Sequence, residues 1–389
     1  MFRNIDIHGL VSDLNNLVGS GPRGVFEPQF SQSDEAIMSQ VLESSFVSPG
    51  SVFTDNLESM LASITGSAFV FATNTGTAAL HLALLAAGVS REDEVIVPAL
   101  TFVGTANAVS YCGAKPNFID ISSTNLTLCP ERLERFLRNG TTFTGGRIRN
   151  KTNSRPISGV IAVHAFAHAA ALNEIKSICN YYELPLIEDA AAGLGSRYYG
   201  SHLGTIGDIG IISFNGNKLV TGGAGGAVLT SNINLFEEVK TLGDTARERI
   251  GIDFSHSRIA YNYRMPGINA ALILNQIKRL DDFLSLKNTL HQKYRRLIGH
   301  HDRLELLEAF PHCQSNYWLE TIKFPDDSVD AKNEFLAMGL EQSLGVRPLW
   351  KPLPLFEFYA DCFSSDIPNA LNAYQTMVNL PSSWVLGLK

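Results

Sequence analysis

The sequence predicts an α/β protein built on a mostly parallel sheet of seven strands, followed by a smaller C-terminal α+β domain. Three observations carry that reading. Between residues 68 and 231, short β-branched or apolar runs alternate with longer helical ones across Gly, Asn and Pro joints, the rhythm of βαβ units. Residues 59–90 and 95–114 contain no Asp, Glu, Lys or Arg, as befits elements covered on every side at the centre of such a sheet. After about residue 251 the composition shifts to a charged amphipathic helix over 270–291, then to segments rich in Pro and aromatics. The 389 residues therefore divide into a large domain, 1–251, with an N-terminal arm, and a small domain, 252–389.

The elements follow in order. A strand is expected over 69–73 and a helix over 77–87, closed by Gly88. A strand over 95–99 and a helix over 101–112, closed by Gly113, come next. Further strands are expected over 116–121, 159–164, 186–189, 209–214 and 227–230, with helices near 131–137 and 172–182. The polar, aperiodic stretch 139–154 reads as an exposed excursion.

Composition excludes several classes. With 45% hydrophobic and 18% charged residues, the chain is globular rather than disordered. A net charge of −7 argues against general affinity for nucleic-acid backbones or anionic lipid surfaces. The stretch 95–114 has the length of a membrane span, but Pro98, Thr101, Thr105, Asn107 and Ser110 interrupt it. Five cysteines, Cys112, Cys129, Cys179, Cys313 and Cys362, are too scattered for a disulfide framework or a metal knuckle. Together with an N-terminus lacking an apolar leader, they lead us to expect a cytoplasmic protein with reduced thiols and no metal.

Three features carry chemistry. The first is Thr73-Asn74-Thr75-Gly76-Thr77-Ala78, small and polar between a strand and a helix, where N–H groups and the helix dipole favour an anion. The second is Lys218, the one charged residue in the 28 from Ile209 to Phe236, just before Thr221-Gly222-Gly223-Ala224-Gly225-Gly226. Desolvation favours its neutral amine, the form that attacks a carbonyl. The third is Asp189, closing an apolar strand at the edge where open α/β sheets place ligands. Each alone has an ordinary structural reading: an N-cap, a lysine snorkelling to solvent, a turn-forming carboxylate. Together they match pyridoxal 5'-phosphate, which offers a phosphate to a helix start, an aldehyde to a lysine and a pyridine nitrogen to a carboxylate.

The sequence resembles the DegT/DnrJ/EryC1/StrS family of nucleotide-sugar aminotransferases, of the aspartate-aminotransferase-like fold. The resemblance rests on Asn74-Thr75-Gly76-Thr77-Ala78-Ala79-Leu80-His81, Asp93-Glu94-Val95-Ile96-Val97-Pro98 with Thr101-Phe102, Glu188-Asp189-Ala190-Ala191, Gly207-Asp208 with Ser213-Phe214-Asn215-Gly216-Asn217-Lys218, and Tyr261-Asn262-Tyr263-Arg264-Met265. It implies that Lys218 bonds the cofactor and that Asp189 partners the pyridinium nitrogen. Gly76, Thr77, Ala78 and Ser213 would hold the phosphate, and Phe102 would stack on the ring. Asn262 would reach the cofactor phosphate of a neighbouring subunit, making the active unit a homodimer.

The resemblance also implies a reaction in which L-glutamate donates an amino group to a nucleotide-linked keto-deoxy sugar. The phrase 213–218 and Ser110-Tyr111-Cys112-Gly113-Ala114 look most like the branch serving legionaminic-acid-type surface glycans, which favours C4 of a UDP-linked 2-acetamido-6-deoxy-hexose. Two departures stand out. Ala192 occupies a position where the family usually carries His, Gln or Glu, and Pro354 follows Pro352-Leu353 where relatives commonly have His. Two other readings are a sugar dehydratase or deoxygenase, whose relatives replace the lysine by histidine, and a non-catalytic sensor binding cofactor or sugar. Lys218 argues against the former, and the pairing of Lys218 with Asp189 against the latter. His164 and His168, after a strand, read equally well as structural.

Overall fold

The structure is a computed structural model that describes residues 5–19, 23–250 and 252–388. The expected domain boundary at residue 251 lies outside the described residues, as do the first four residues of the N-terminus. The central sheet has seven strands. We number them β1 (Phe69–Thr73), β2 (Glu94–Pro98), β3 (Lys115–Ile119), β4 (Ile157–Val163), β5 (Leu186–Asp189), β6 (Ile209–Ser213) and β7 (Gly226–Thr230). Their order is β1-β7-β6-β5-β4-β2-β3. The pairs β6/β5, β5/β4, β4/β2 and β2/β3 are parallel, and β7 runs antiparallel to both its neighbours, β1 and β6. This is the mostly parallel sheet the sequence predicts, with each strand within two residues of its expected place.

The uncharged stretches are buried, as expected. All of β2 is buried, as is Ala78–Leu84 within the helix Gly76–Ala86. That helix packs on β6 and β7 and on the helices Val103–Tyr111 and Ile233–Gly243. Among the described residues no helix is long and apolar enough to cross a membrane. Burying side chains such as Leu80, Leu82, Val95, Val97, Ile211 and Phe214, at about 25 cal/mol per Å² of apolar area, supplies the main force holding helices to sheet.

Two expectations are corrected. The stretch 139–154 is a β-hairpin, Thr141–Thr144 paired with Arg147–Asn150, rather than a featureless excursion. It is pinned from outside: fully buried Glu94 accepts from the side-chain amides of Asn117 (2.7 Å), Asn150 (2.9 Å) and Asn153. The helix expected over 270–291 is two helices, Gly267–Ile277 and Leu280–Ile298. The first packs on the helices Gln32–Ser44 and Val52–Thr65, the second on residues near the chain's end, so the backbone turns between them to serve two surfaces. Arg279 at the junction bonds buried Asp34 at 2.7 Å.

The C-terminal part holds a four-stranded antiparallel sheet of Glu305–Leu306, Thr321–Lys323, Met377–Asn379 and Arg347–Pro348. Its core joins Leu290, Tyr294, Ile322, Phe324, Phe335 and Val378 to Leu10 and Leu14 of the first helix, Ile7–Val18. Since β1, β5 and β6 run in one direction, their carboxyl ends open on one edge of the central sheet, the usual place for a ligand in open α/β folds. Thr73, Asp189 and Ser213 are their last residues.

Candidate active site

A cavity of about 310 Å³ lies at that edge. Its lining brings together six residues singled out from the sequence: Gly76, Thr77, Phe102, Asp189, Ser213 and Lys218. They are separated by up to 142 positions in the chain and assembled by the strand ends and helix starts that carry them. The two other candidates do not line it. Ala78 is buried in the first turn of its helix, its N–H bonded to the Thr75 hydroxyl at 3.0 Å. Asn262 is exposed, bridged through its backbone to Asp244.

The anion end of the cavity is the start of the helix Gly76–Ala86. Thr75 takes extended backbone as the N-cap, which leaves the first N–H groups without intrahelical acceptors. The Ser213 side chain packs directly against Gly76: a Cβ there would stand 2.8 Å from Ser213 Cβ and 3.0 Å from its Oγ. Only glycine lets the strand end and the helix start approach so closely, which forms a narrow cradle of N–H groups and a hydroxyl.

Asp189 forms the acidic floor. Thr105 donates its hydroxyl to Asp189 Oδ2 at 2.8 Å, and the Ala191 N–H donates to Oδ1 at 3.1 Å. Because the single Thr105 hydroxyl hydrogen is used on Asp189, the contact of 2.9 Å with Thr101 Oγ1 makes Thr101 the donor to Thr105. A relay of two hydroxyls thus aims the carboxylate.

Lys218 sits in the turn after β6, with its N–H donating to the Asn215 carbonyl. Its amine is desolvated, which pushes its pKa down from the ordinary 10.5 to about 8, while the charge of Asp189 opposes that shift. A lysine so placed offers a reactive fraction of neutral amine near neutral pH. It is the one Lys or Arg in the lining.

His164 also lines the cavity, but its ring is committed elsewhere. Its Nδ1 accepts from Ala170 N at 3.1 Å, so its hydrogen is on Nε2, directed at fully buried Glu188 at 3.0 Å. Burial works against ionised Glu188, yet His164 and the N–H groups of Gly207 and Gly204 hold it below the ordinary carboxylate range. This pair braces the strand ends β4 and β5. His168 is buried away from the cavity, and burial pushes its pKa down to about 4.

Sequence reasoning missed the aromatic walls. Trp318 and Trp350 line the cavity, with Trp350 stacked on Phe166 at 4.5 Å and tilted toward Phe102 at 6.2 Å. Phe102, 57% exposed, is available to a ligand ring rather than spent on the core. It also missed the role of Thr105, one of several small polar residues in its helix with nothing local to set it apart from Asn107 or Ser110.

The arrangement fits pyridoxal phosphate: a glycine-lined cradle for a phosphate, a carboxylate for a ring nitrogen, an amine for an aldehyde and an exposed aromatic ring for stacking. The comparisons agree. The DegT/DnrJ/EryC1/StrS aminotransferase family matches residues 28–388. EpsN of Bacillus subtilis (strain 168), named as a candidate pyridoxal phosphate-dependent aminotransferase, is 34% identical over 333 residues, covering 85% of this chain and 82% of that one. GDP-perosamine synthase of Escherichia coli O157:H7 and the UDP-4-amino-4,6-dideoxy-N-acetyl-beta-L-altrosamine transaminase of Campylobacter jejuni (strain 81-176) are each 29% identical, with 92% of both chains covered. Among solved structures, the Helicobacter pylori aminotransferase PseC superposes with a TM-score of 0.83 at 21% identity, over 93% of this chain and 94% of that one. The chain belongs to the DegT/DnrJ/EryC1/StrS aminotransferase family and is a pyridoxal-phosphate-dependent transaminase.

Proposed function

We propose that the chain moves an amino group from L-glutamate to C4 of a UDP-linked 2-acetamido-6-deoxy sugar, with Lys218 and Asp189 as its catalytic residues. The observation that carries this is Lys218 itself: the one Lys or Arg lining the cavity, its amine desolvated and facing the charge of Asp189. When bound, pyridoxal phosphate supplies an electrophilic aldehyde and a ring that withdraws electrons from the carbon being aminated or deaminated. Lys218 would hold that aldehyde and, when unbonded, would take the proton from the donor's α-carbon as a neutral amine. Asp189, fixed by Thr105 and Ala191, keeps the ring nitrogen protonated. Gly76 and Thr77 at the helix start, with Ser213, would hold the phosphate, the first turn being kept in shape by Ala78, whose N–H is spent on Thr75, and Phe102 would stack on the ring.

The active unit in this reading is a cytoplasmic homodimer. Lys218 is the one Lys or Arg lining the cavity, and in this reading a second copy supplies the further positive charge that a dicarboxylate donor calls for. Asn262, exposed outside the cavity, follows a hairpin, Arg247–Ile250 with Asp253–His256, that displays exposed Ile250, Ile252 and Phe254. An apolar strip of that kind suits a subunit contact. We also take the chain to divide near residue 251, on the strength of a second core around Ile322, Phe324 and Phe335, to which the first helix adds Leu10 and Leu14.

Two relatives are named for sugars carrying different nucleotides, GDP and UDP. The phrases 213–218 and 110–114 favour UDP here. The test is the visible spectrum of the protein with pyridoxal phosphate, before and after L-glutamate, followed by UDP-, GDP- and dTDP-linked 4-keto sugars. We expect a lysine-dependent band that glutamate removes and that the UDP sugar restores fastest. A band indifferent to glutamate would favour a binding module, and faster restoration by a GDP sugar would overturn the nucleotide assignment.

A further inference from the structure

Trp318 is buried, 4% exposed, and contacts the turn that carries Lys218. Lys218 Nζ stands 3.7 Å from the centroid of the Trp318 ring, and the indole Nε1 donates at 2.7 Å to the carbonyl of Asn217, the residue before Lys218. Among the described residues the amine has no hydrogen bond.

The ring's position is over-determined. Trp318 N donates to Asn316 Oδ1 at 2.8 Å, and the Asn316 amide donates to the carbonyls of Ala192 and Leu194, both at 2.8 Å, tying the strap to the segment after Asp189. The next residue back, Tyr317, takes a left-handed backbone at φ 48° and stacks on His291 at 3.8 Å. Non-glycine residues accept that conformation only where their surroundings impose it.

We propose that Trp318 is a positioning residue that holds the Lys218 amine, when protonated, over its indole face in the cofactor-free protein. The inference rests on the reading of Lys218 given above. Without that face, the amine in a desolvated cavity would turn toward solvent or lose its proton at a lower pH. A tryptophan face offers a cation a fixed, non-titrating partner that cannot take the proton away. The charge on the amine then depends on two elements packed against it: Asp189 at the end of β5, which favours the proton, and the Trp318 strap, which does so too. His164, the other titratable group in the lining, turns its Nε2 hydrogen to Glu188 rather than to the amine.

The experiment reads the proton on Lys218 in cofactor-free protein. Acetylation of Lys218 by trace acetic anhydride is followed by mass spectrometry from pH 6 to 10, with exposed Lys151 as internal reference. Protein is made with tryptophan and with mono-, di- and trifluorotryptophan, which drain the ring's negative face while keeping its shape. We expect the Lys218 midpoint to fall stepwise, by about one pH unit at three fluorines, from a cation–π energy of order 1 kcal/mol. The same series in Trp318→Phe protein retains Trp350 and Trp384, so it isolates any contribution of those rings, and it should give one constant midpoint. A midpoint that does not move with fluorination, or moves equally in Trp318→Phe, overturns the proposal. Because no cofactor is present, this result is independent of whether Lys218 bonds pyridoxal phosphate, which the spectrum with and without L-glutamate decides.

Discussion

Lys218 and Lys287 present nearly the same electrostatics in two different places. Burial lowers each from the ordinary 10.5 to about 8, and in each a carboxylate opposes the shift, Asp189 for Lys218 and Glu320 for Lys287. Each also lies near an aromatic ring, at 3.7 Å from Trp318 and 5.8 Å from Phe26. Their surroundings differ. Lys287 is fully buried in the long helix Leu280–Ile298, donates to the Ser382 carbonyl at 2.7 Å and lies 3.9 Å from Glu320. The Lys218 amine opens on the cavity and, among the described residues, has no hydrogen bond. A perturbed lysine is therefore not a catalytic one by its proton affinity. What separates the two is unspent bonding capacity facing a space that can hold a ligand.

The sharpest way to break this contrast is to delete both amines in turn. Lys218→Ala should lower turnover by at least about a thousandfold, the loss expected for a combined nucleophile and base, measured with saturating amino donor. It should leave the melting temperature near that of the wild type. Lys287→Met should do the reverse, keeping the cofactor band and its response to glutamate while losing about 3 kcal/mol in urea unfolding, because Glu320 is left buried without that cation. The double variant Lys287→Met, Glu320→Leu should recover part of the loss. If Lys287→Met abolished the band, the separation of the two lysines would be wrong.

The pH dependence of stability sharpens the same point. Lys287 has a lower pKa folded than unfolded, so between about 8 and 10.5 the unfolded chain binds the proton that the folded chain has released. Stability from this group therefore rises with pH across that window and is lost as pH falls through about 8. The stability of wild type relative to Lys287→Met should increase between pH 8 and 10 in urea titrations. A flat or falling difference would place the Lys287 proton elsewhere.

How far the sequence could carry these distinctions depends on the range of the interactions. A run such as 209–214 announces its strand because apolar β-branched residues between turn signals have few other uses, and Lys218 stands out as the one charge between Ile209 and Phe236, whereas Asp189 follows another carboxylate, Glu188. The hairpin at 141–150 was illegible because its own residues have no period-2 apolar face, and its anchor, Glu94, lies 56 residues before Asn150. The helix break at Lys278 and Arg279 carries neither Gly nor Pro, so nothing local marks a turn imposed by two packing surfaces. Trp318 lies 101 positions from its partner Asn217, and Thr105 lies 84 from Asp189. Such pairings are products of the fold rather than of any local pattern.

The smallest effects test the Asp189 end of the cavity, where the relay from Thr101 through Thr105 orders two substitutions. Thr105→Val keeps the side-chain shape and removes the donor to Oδ2, leaving Asp189 with the Ala191 N–H alone. A hydrogen bond to a charged acceptor contributes about 1.5–3 kcal/mol, so cofactor affinity, read by titrating the visible band, should weaken about tenfold to a hundredfold. Thr101→Ala touches Asp189 only through Thr105, whose hydroxyl can still donate, so its cost should be about 1 kcal/mol or less, a few-fold in the same titration. The order of the two matters more than either size. If Thr101→Ala weakened binding more than Thr105→Val, the hydroxyl donating to Asp189 would have to come from another direction, and the carboxylate would be held by packing rather than by the relay. If the order holds, the contrast with Lys218 becomes complete: a carboxylate fixed by hydrogen bonds from two elements faces an amine that, among the described residues, has none and rests over the Trp318 ring.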